Sequence, residues 1–534
     1  MGDNQLSDIS TISLLVNLKV LQLWGNQLTD ISPIQKLVNL YEINIKRNKI
    51  QNIQPLADLF KLNYLVLSEN QIEDIQTLSN LSQLEALYCD DNKIANINSI
   101  SALWKLNILN LSKNCIDNID AISNLIDLTE LYINNNQVYS LKSIQNLKNL
   151  RILFANSNQI DNIENLEQLI NIEELQLQNN KISDIQGVKN MKKLQVLRIE
   201  DNTVQNISWV SKLTNLKEFN LHSNLIFDIT PIIQSNLNIL DIGSLNISDI
   251  SILEQLTQLT TLFMFQNNIS DIQPLHNLRL IVELQLSKNQ ITDISPLRYL
   301  LRLEQLYVSN NLINDLTPLR FLVNLQILQL DNNCISDISA LRLLINLQEL
   351  VLSNIVEENS HIGNTIADIS SLQNMVNLNV LQLQNNKIVD LSPLDKLDDL
   401  TILNVKNNQI CDLSVIYSKI NRQKFNIKQV NFEDNFVDDE CSHSSEAAHL
   451  FGKQQVPTTS LLSLSQNIQH FFQQNKIIEE NYKKYYNLRI NFKRNRQLFI
   501  IQVSNLKSML QNIQIYFSSA IASQFQQYNV CDDQ

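Results

Sequence analysis

Apolar residues recur along positions 4–435 in one order that repeats many times. Each unit has two apolar residues that alternate with polar ones, then an asparagine, then four apolar residues at spacings of three: Leu21, Leu23, Asn26, Leu28, Ile31, Ile34 and Leu37. Alternation is typical of a strand with one buried face, and the later apolar residues can bury a return path. The pattern predicts a short strand, a turn and a buried return segment in every unit.

The asparagine returns every 22 residues. It stands at Asn26, Asn48, Asn70, Asn92, Asn114, Asn136, Asn158, Asn180, Asn202 and Asn224, and after a one-residue slip to Leu245 it resumes at Asn267, Asn289, Asn311, Asn333, Asn386 and Asn408. One unit cannot bury its apolar face alone, so successive units must stack. We therefore predict an α/β solenoid over residues 1–441. It would be a curved array with a concave parallel sheet, beginning mid-repeat at Asn4 and ending in a cap with an irregular strand at Val430 and Phe432.

Polar residues in the repeat have predictable structural duties. The recurrent asparagine amide can both donate and accept, so we expect it to satisfy backbone groups where the chain leaves the strand. Four places later stands an aspartate or asparagine that can cap the following turn, as at Asp8, Asp30, Asn52, Asp74, Asp293 and Asp390. Seven of the eight prolines lie seven places after the asparagine, which fits the first turn of a short helix: Pro33, Pro55, Pro231, Pro274, Pro296, Pro318 and Pro393.

Stretches such as Asn289-Gln-Ile-Thr-Asp-Ile-Ser-Pro-Leu297 and Leu381-Gln-Leu-Gln-Asn-Asn-Lys-Ile388 resemble the 22-residue class of leucine-rich repeats. Two members of that class are relevant: the nuclear regulatory subunit of type-1 protein phosphatase and, more loosely, the bacterial internalin adhesins. The resemblance to the regulator implies binding through aromatic and acidic residues of the concave face, with a type-1 protein phosphatase as the implied partner. It carries over the character of that face and not its individual positions.

Residues between the buried leucines of each strand are expected to face the concave surface. Two groups there are candidates for partner binding. The first is Tyr88, Tyr132 and Phe154 with Asp90, Asp91, Glu130, Glu174, Glu200 and Asp201, and the second is Phe263, Phe265 and Tyr307. Exposed aromatics beside carboxylates suit a hot spot that contacts a basic protein surface. The alternative is that these aromatics merely cover the sheet, since single exposed apolar residues are common.

Composition narrows the classes of function. The net charge is −13, although the residues after Cys441 carry nine basic against five acidic side chains. An acidic array argues against nucleic acid as a ligand, because such binding depends on lysine and arginine neutralising phosphates. The six glycines form no phosphate-binding loop, and Cys441, His443 and His449 lack a fourth ligand at zinc spacing. We predict a protein-binding scaffold with no catalytic, cofactor or metal site.

The compartment predicted from the sequence is the cytoplasm or nucleus. The six cysteines are scattered without paired spacing, which is typical of reduced thiols. No basic-then-apolar leader follows Met1 and no apolar run is long enough to span a membrane. Because the array begins mid-repeat, a missing leader would instead favour an exported, internalin-like adhesin. The insertion at 355–363 is either a functional loop or a neutral one.

The tail differs from the array. Residues 442–457 are predicted to be a linker, and residues 458–534 to be helical, because apolar positions alternate at spacings of three and four from Leu461 to Phe517. This pattern predicts a long C-terminal helix in a coiled coil, with a homodimer formed through residues 461–517. A helical hairpin is the alternative for the tail. A structural protein that assembles through this coiled coil is a further alternative for the function.

Overall fold

A computed structural model describes residues 2–354, 363–416 and 429–435, together with the backbone of 487–493, 498–504 and 514–517. The chain forms two compact units. Unit 1 comprises Met1–Ile247 and Gln255–Asn267, and unit 2 comprises Ser248–Glu254 and Asn268–Gln534. We call one strand with its return segment a rung.

Unit 1 stacks twelve strands of three residues each. They are β1 Val20–Gln22, β2 Glu42–Asn44, β3 Tyr64–Val66, β4 Ala86–Tyr88, β5 Ile108–Asn110, β6 Glu130–Tyr132, β7 Ile152–Phe154, β8 Glu174–Gln176, β9 Val196–Arg198, β10 Glu218–Asn220, β11 Ile239–Asp241 and β12 Thr261–Phe263. Each strand pairs with the next in parallel, and equivalent residues of successive repeats lie opposite each other, as Leu21 does with Ile43. The predicted parallel sheet is confirmed.

Unit 2 continues the same arrangement within itself. Its strands are β13 Glu283–Gln285, β14 Gln305–Tyr307, β15 Ile327–Gln329, β16 Glu349–Val351, β17 Val380–Gln382, β18 Ile402–Asn404 and β19 Gln429–Asn431, each parallel to the next. The last rung contains Val430 and Phe432, and both side chains are buried.

Short 3-10 helices form the return segments. Those that the structure describes are Ser10–Leu14, Ser32–Ile34, Gln54–Leu56, Gln76–Asn80, Asn98–Ala102, Asp120–Ile122, Lys142–Ile144, Glu164–Leu166, Gln186–Val188, Ser208–Lys212, Thr230–Gln234, Ser251–Gln255, Gln273–Asn277, Ser295–Tyr299, Thr317–Leu319, Ser339–Leu343, Ser370–Leu372 and Ser392–Leu394. The seven prolines lie in the first turn of these helices. The predicted caps are present: Asp30 Oδ1 accepts the backbone N–H of Ser32 at 2.8 Å, and Asp293 accepts that of Ser295 at 2.7 Å.

The recurrent asparagines form the predicted ladder. Asn48 Oδ1 accepts the N–H of Leu28 in the preceding rung at 3.0 Å, and its Nδ2 donates to the carbonyls of Leu23 and Ile45, each at 3.0 Å. One side chain thus satisfies backbone groups of two rungs that the turn leaves unpaired. The leucines beside it, such as Leu23 and Leu28, are fully buried.

Two irregularities interrupt the ladder but not the strand register. Leu245 stands where an asparagine is expected, and it offers neither the acceptor nor the donor of the amide. The insertion lengthens the step from β16 to β17, yet Leu350 still faces Leu381. Asn364 then takes the ladder position, accepting the N–H of Ile335 at 3.0 Å. Residues 355–362 lie outside the described part of the chain.

The prediction of one long C-terminal helix and coiled coil over 461–517 is not supported. The described backbone there is extended, in β20 Asn487–Lys493, β21 Leu498–Ser504 and β22 Gln514–Phe517; β21 pairs antiparallel with β19 and β20, and β20 parallel with β22. Phe499, Ile500 and Ile501 belong to residue types that favour strands, which spacing alone does not weigh. The rest of the tail and the predicted linker lie outside the described residues.

The expectation that every thiol is reduced is wrong for Cys411, which is disulfide-bonded. Spacing along the sequence could not show this, because a disulfide depends on the distance between cysteines in space. Cys89 is a free, buried thiol, whereas Cys115 and Cys334 are free and exposed.

Candidate protein-binding surface

The solvent-facing side of each sheet consists of the first and third residues of every strand and the residue two places further on. We call this the strand face. In unit 1 it carries seven carboxylates, Glu42, Asp90, Glu130, Glu174, Glu200, Glu218 and Asp241, against two cations, Lys46 and Arg198. Both cations are already paired, Lys46 with Glu69 at 2.9 Å and Arg198 with Glu218 at 2.6 Å. The strand face of unit 1 is therefore an acidic surface.

Four aromatic residues, Tyr64, Tyr88, Tyr132 and Phe154, form what we call the aromatic cluster, on rungs three, four, six and seven. The rings of Tyr132 and Phe154 meet edge to face with centroids 4.9 Å apart, and those of Tyr64 and Tyr88 are tilted at 5.7 Å. All four remain partly exposed to solvent. Such ring pairs hold each other in place and present a rigid contact area.

Carboxylates surround the aromatic cluster and are held by neighbouring side chains. The Tyr132 hydroxyl donates to Glu130 at 2.7 Å. Asp90 accepts from the Ser68 hydroxyl at 2.6 Å and from the Asn110 amide at 3.0 Å. None of these partners is a cation, so each carboxylate keeps its charge available to a ligand.

The same surroundings keep the tyrosines protonated. Partial burial, then the neighbouring Tyr64 and carboxylates, raise the pKa of Tyr88 to about 12. Burial and the hydrogen bond to Glu130 raise the pKa of Tyr132 as well. Both hydroxyls are neutral donors throughout the physiological range, which suits contact with the polar rim of a protein partner.

A second group on rungs nine to twelve, the histidine cluster, comprises Arg198, Glu200, His222, Asp241 and Phe265. His222 Nε2 lies 3.8 Å from Asp241 Oδ2, and its ring is tilted against Phe265 with centroids 5.7 Å apart. Burial raises the pKa of both Glu200 and Asp241, and His222 opposes that shift in each.

Gly243 makes room for the Phe265 ring in the histidine cluster. A Cβ at position 243 would lie 2.5 Å from the ring, so any other residue there would displace the aromatic side chain.

The predicted residues divide by position. Tyr88, Tyr132, Phe154, Asp90, Glu130 and Glu174 lie on neighbouring rungs, and Glu200, Phe263 and Phe265 lie further along the same face, all within unit 1. Asp91 and Asp201 stand in the turn after the strand, with φ of 55°. Tyr307 belongs to unit 2, where its hydroxyl donates to Gln305 at 2.9 Å. Sequence reasoning brought these residues together by strand phase and did not separate the units.

Three residues escaped the sequence reasoning. Tyr64 is the first residue of its strand, whereas Tyr88, Tyr132 and Phe154 are each the third, so a search in a single phase misses it. His222 and Asp241 also lie at strand-face positions, although Asp241 is buried, and extending the search to all three positions would have found them.

Among the residues that the structure describes, no group of three or more histidine, cysteine, aspartate or glutamate side chains is placed to hold a metal ion. None of the described helices has the length and apolar character needed to cross a membrane.

Comparison with known families fits this geometry. The sequence matches the family described as Leucine Rich repeats (2 copies) at residues 16–58, 148–190, 281–320 and 376–418, and the matched segments lie within the stacked rungs. The chain is a leucine-rich repeat protein. Leucine-rich repeat proteins generally mediate protein–protein interaction, and no catalytic family is indicated. Comparison with curated protein sequences gives no match.

Several solved structures match parts of this chain, including two with TM-scores above 0.5. A leucine-rich repeat protein from Leptospira interrogans is 25% identical, with 71% of this chain and 94% of that chain covered and a TM-score of 0.56. An internalin, inlF, from Listeria monocytogenes is 28% identical over 67% of this chain and 86% of that chain, with a TM-score of 0.37. The plant peptide hormone receptor RGFR1, in complex with RGF2, is 19% identical over 77% and 78%, with a TM-score of 0.57.

Proposed function

We propose that this protein is an interaction scaffold whose strand face in unit 1 binds a protein partner with a basic, partly apolar surface. The observation that carries the proposal is the composition of rungs three to eight. Their strand-face positions hold the aromatic cluster and the carboxylates Asp90, Glu130 and Glu174, and no lysine or arginine. Aromatic anchors supply contact area, and the unpaired carboxylates select a positive partner and speed its approach.

Type-1 protein phosphatase is the candidate partner that we propose to test first. The candidate comes from the resemblance of the repeats to the nuclear regulatory subunit of that enzyme. Support from this chain is the shared character of an aromatic and acidic strand face. A cytoplasmic or nuclear location belongs to the same proposal.

The test compares binding by wild-type protein with a Tyr88→Ala/Tyr132→Ala/Phe154→Ala variant. Purified type-1 phosphatase catalytic subunit is one probe, and capture from cell lysate read by mass spectrometry is the second. A matched control, Phe60→Ala/Trp104→Ala/Ile126→Ala, removes three exposed apolar side chains from the helix side of the same unit. We expect the first variant to lose at least about thirtyfold in affinity, and the control to match wild type.

The outcomes separate the parts of the proposal. Loss of a captured protein in the strand-face variant alone supports the binding surface, whichever partner is identified. If the phosphatase binds neither the wild type nor the variant, only the hypothesis that this enzyme is the partner is contradicted. Equal capture by wild type and the strand-face variant would show that the aromatic cluster does not bind.

A second candidate is an exported, adhesin-like scaffold, and the disulfide at Cys411 favours it. Disulfides persist mainly in oxidising compartments. Fractionation of the source cells distinguishes the two: protein found outside the cell with Cys411 oxidised favours export, whereas cytoplasmic or nuclear protein favours the first candidate.

A further inference from the structure

The helix side of unit 2 carries exposed apolar residues in pairs, whereas most rungs of unit 1 expose single ones or none there. On three successive rungs, the positions ten and twelve residues after the ladder asparagine hold Tyr299 and Leu301, Phe321 and Val323, and Leu343 and Ile345. These six residues are between 40 and 63% exposed, with Phe321 the most exposed. The return helices that carry them contact one another in sequence. Single exposed apolar residues are ordinary, but a contiguous set of this size marks an interaction surface.

Arginine precedes each apolar pair. Arg298, Arg320 and Arg342 lie nine residues after the ladder asparagine, and two of them lie over the neighbouring rings, Arg298 on Tyr299 at 5.5 Å and Arg320 on Phe321 at 5.3 Å. Equivalent positions in unit 1 hold no arginine, and they vary in character, as at Ser101, Glu167 and Lys189. We call the three arginines with the six apolar residues the arginine face.

The arginines of the two units differ in pairing. In unit 1, Arg47, Arg151 and Arg198 each form an ion pair. In unit 2, no arginine of the arginine face has an ion-pair partner among the residues that the structure describes. Their charges are therefore available to a binding partner at the surface.

Aspartates of opposite charge share the same side of unit 2. Asp293, Asp315 and Asp337 lie five residues before the three arginines and are exposed. Among the described residues, each accepts hydrogen bonds from the backbone N–H and the hydroxyl of the serine or threonine two places later. Asp271 and the next rung's Arg298 and Tyr299 line one shallow depression, so the acidic and basic rows face solvent together. The surface therefore presents both positive and negative groups that have no ion-pair partner among the described residues.

We propose that the arginine face is the interface of a homodimer, occupied by a second copy of this chain. A two-fold axis through the rung of Asn311 would set Arg320 against the partner's Asp315, Arg298 against the partner's Asp337, and Arg342 against the partner's Asp293. Isologous contacts require such self-complementarity. The apolar pairs of each copy then lie beside the charged rows, within the same interface.

The size and charge of the surface support this occupant. Six residues about half exposed present on the order of 500 Å² of surface, and the charged rows extend it toward the roughly 800 Å² per partner of a specific interface. An anionic lipid bilayer attracts a surface of net positive charge. The aspartates here offset the charge of the arginines, so this surface does not fit a bilayer.

The experiment is sedimentation velocity of the full chain over a wide concentration range. Wild type is expected to sediment as a dimer, and Phe321→Asp to weaken the dimer at least about thirtyfold, because it places a charge in the centre of the apolar contact. Ile126→Asp is the control, because Ile126 is an apolar residue on the helix side of unit 1 that is 57% exposed, and it is expected to leave the dimer unchanged.

Charge exchange tests the two-fold arrangement. Arg320→Asp alone is expected to weaken the dimer, and Arg320→Asp combined with Asp315→Arg to restore it, since each copy again offers opposite charges. Circular dichroism and thermal melting test whether each variant is folded. If a variant is not folded, the milder substitution Val323→Ser is measured in its place. A monomeric wild type, or a dimer that Phe321→Asp leaves intact, overturns the proposal and points to another occupant.

Discussion

Burial destabilises the ionised form of the Glu200 carboxylate. Its Oε2 is buried without a hydrogen-bond partner among the described residues, and burial raises its pKa despite the opposing His222 and Arg198. A folded-state pKa above the unfolded value means that stability is fully present below the unfolded pKa and is lost as pH rises through the folded one. The histidine cluster is therefore under electrostatic strain at neutral pH.

Replacing Glu200 with glutamine should remove this strain. We expect Glu200→Gln to raise Tm by roughly 2 °C at neutral pH and to give no gain near pH 4, where the native carboxyl is protonated. Thermal melts at both pH values check this. The control is Glu174→Gln, because the Glu174 carboxylate already accepts a hydrogen bond from Gln176 at 2.8 Å. A gain of equal size at both pH values would contradict the explanation.

A ladder asparagine should be much less replaceable. Asn311 accepts the N–H of Ile291 and donates to the carbonyls of Leu286 and Val308, all at 3.0 Å in a buried setting. Asn311→Leu leaves three backbone groups unpaired, so we expect a loss of about 3 kcal/mol in the free energy of unfolding. Denaturant titration measures the change.

The comparison for Asn311 is an exposed asparagine of the same unit. Asn324 donates only to the carbonyl of Leu301 at 2.8 Å on the surface. Asn324→Ala should cost less than about 1 kcal/mol. If both substitutions had similar effects, the buried ladder bonds would not be the source of stability.

At the scale of elements, one return helix approaches the preceding rung closely because it contains a glycine. Gly187 lies in the helix Gln186–Val188, where a Cβ would come within 2.1 Å of the backbone oxygen of Ile163 in the preceding rung. A backbone bridge between Asn162 and Asp184 marks the same close approach. A backbone atom cannot swing aside as a side chain does.

Gly187→Ala should therefore force these two rungs apart. The expected cost is about 1–3 kcal/mol, with faster amide exchange near Asp184. Denaturant titration and hydrogen exchange provide the measurements. Asn165→Ala, at the equivalent position of the preceding repeat, is the control and should change exchange little. Unaltered protection near Asp184 in the glycine variant would refute the close-packing explanation.

At the scale of the whole molecule, the cysteines differ in accessibility. Cys115 and Cys334 should react with a thiol reagent in the native protein, because they are free and exposed. Cys89 should react only on unfolding, since burial raises its pKa and hinders access. Cys411 should need prior reduction. Mass spectrometry after native, denaturing and reducing labelling reads each site, and native labelling of Cys89 would contradict its placement in the core.

Much of the fold was predictable because each repeat contains the residues that determine its local structure. The asparagine, its cap and the proline act within one repeat or on the next, as Asn48 does with Leu28, so local chemistry determines the stack. The strand-face location of Tyr88, Tyr132 and Phe154 follows from alternation in the same way. Their role in binding stays a prediction.

The features that could not be predicted from the sequence depend on distances between residues of different rungs. The contact of His222 with Phe265 spans two rungs and requires the small residue at Gly243 between them. The disulfide at Cys411, and the lack of an ion-pair partner for Arg320 among the described residues, likewise depend on which residues are close in space. In the tail, a spacing of three and four coincided with strand-favouring residues, and spacing alone could not decide between them.

The insertion in unit 2 is closed at its base. Asn354 Nδ2 donates to the carbonyl of Asn364 at 2.8 Å, and its Oδ1 accepts the N–H of Asn364 at 2.6 Å. These two hydrogen bonds join residues that flank positions 355–362, while the strands on either side keep their pairing. Lengthening a loop costs only slowly more free energy once its ends are held. For protein engineering, the position is thus a ready-made graft point, where a foreign epitope or reporter peptide can be carried without disturbing the scaffold beneath it.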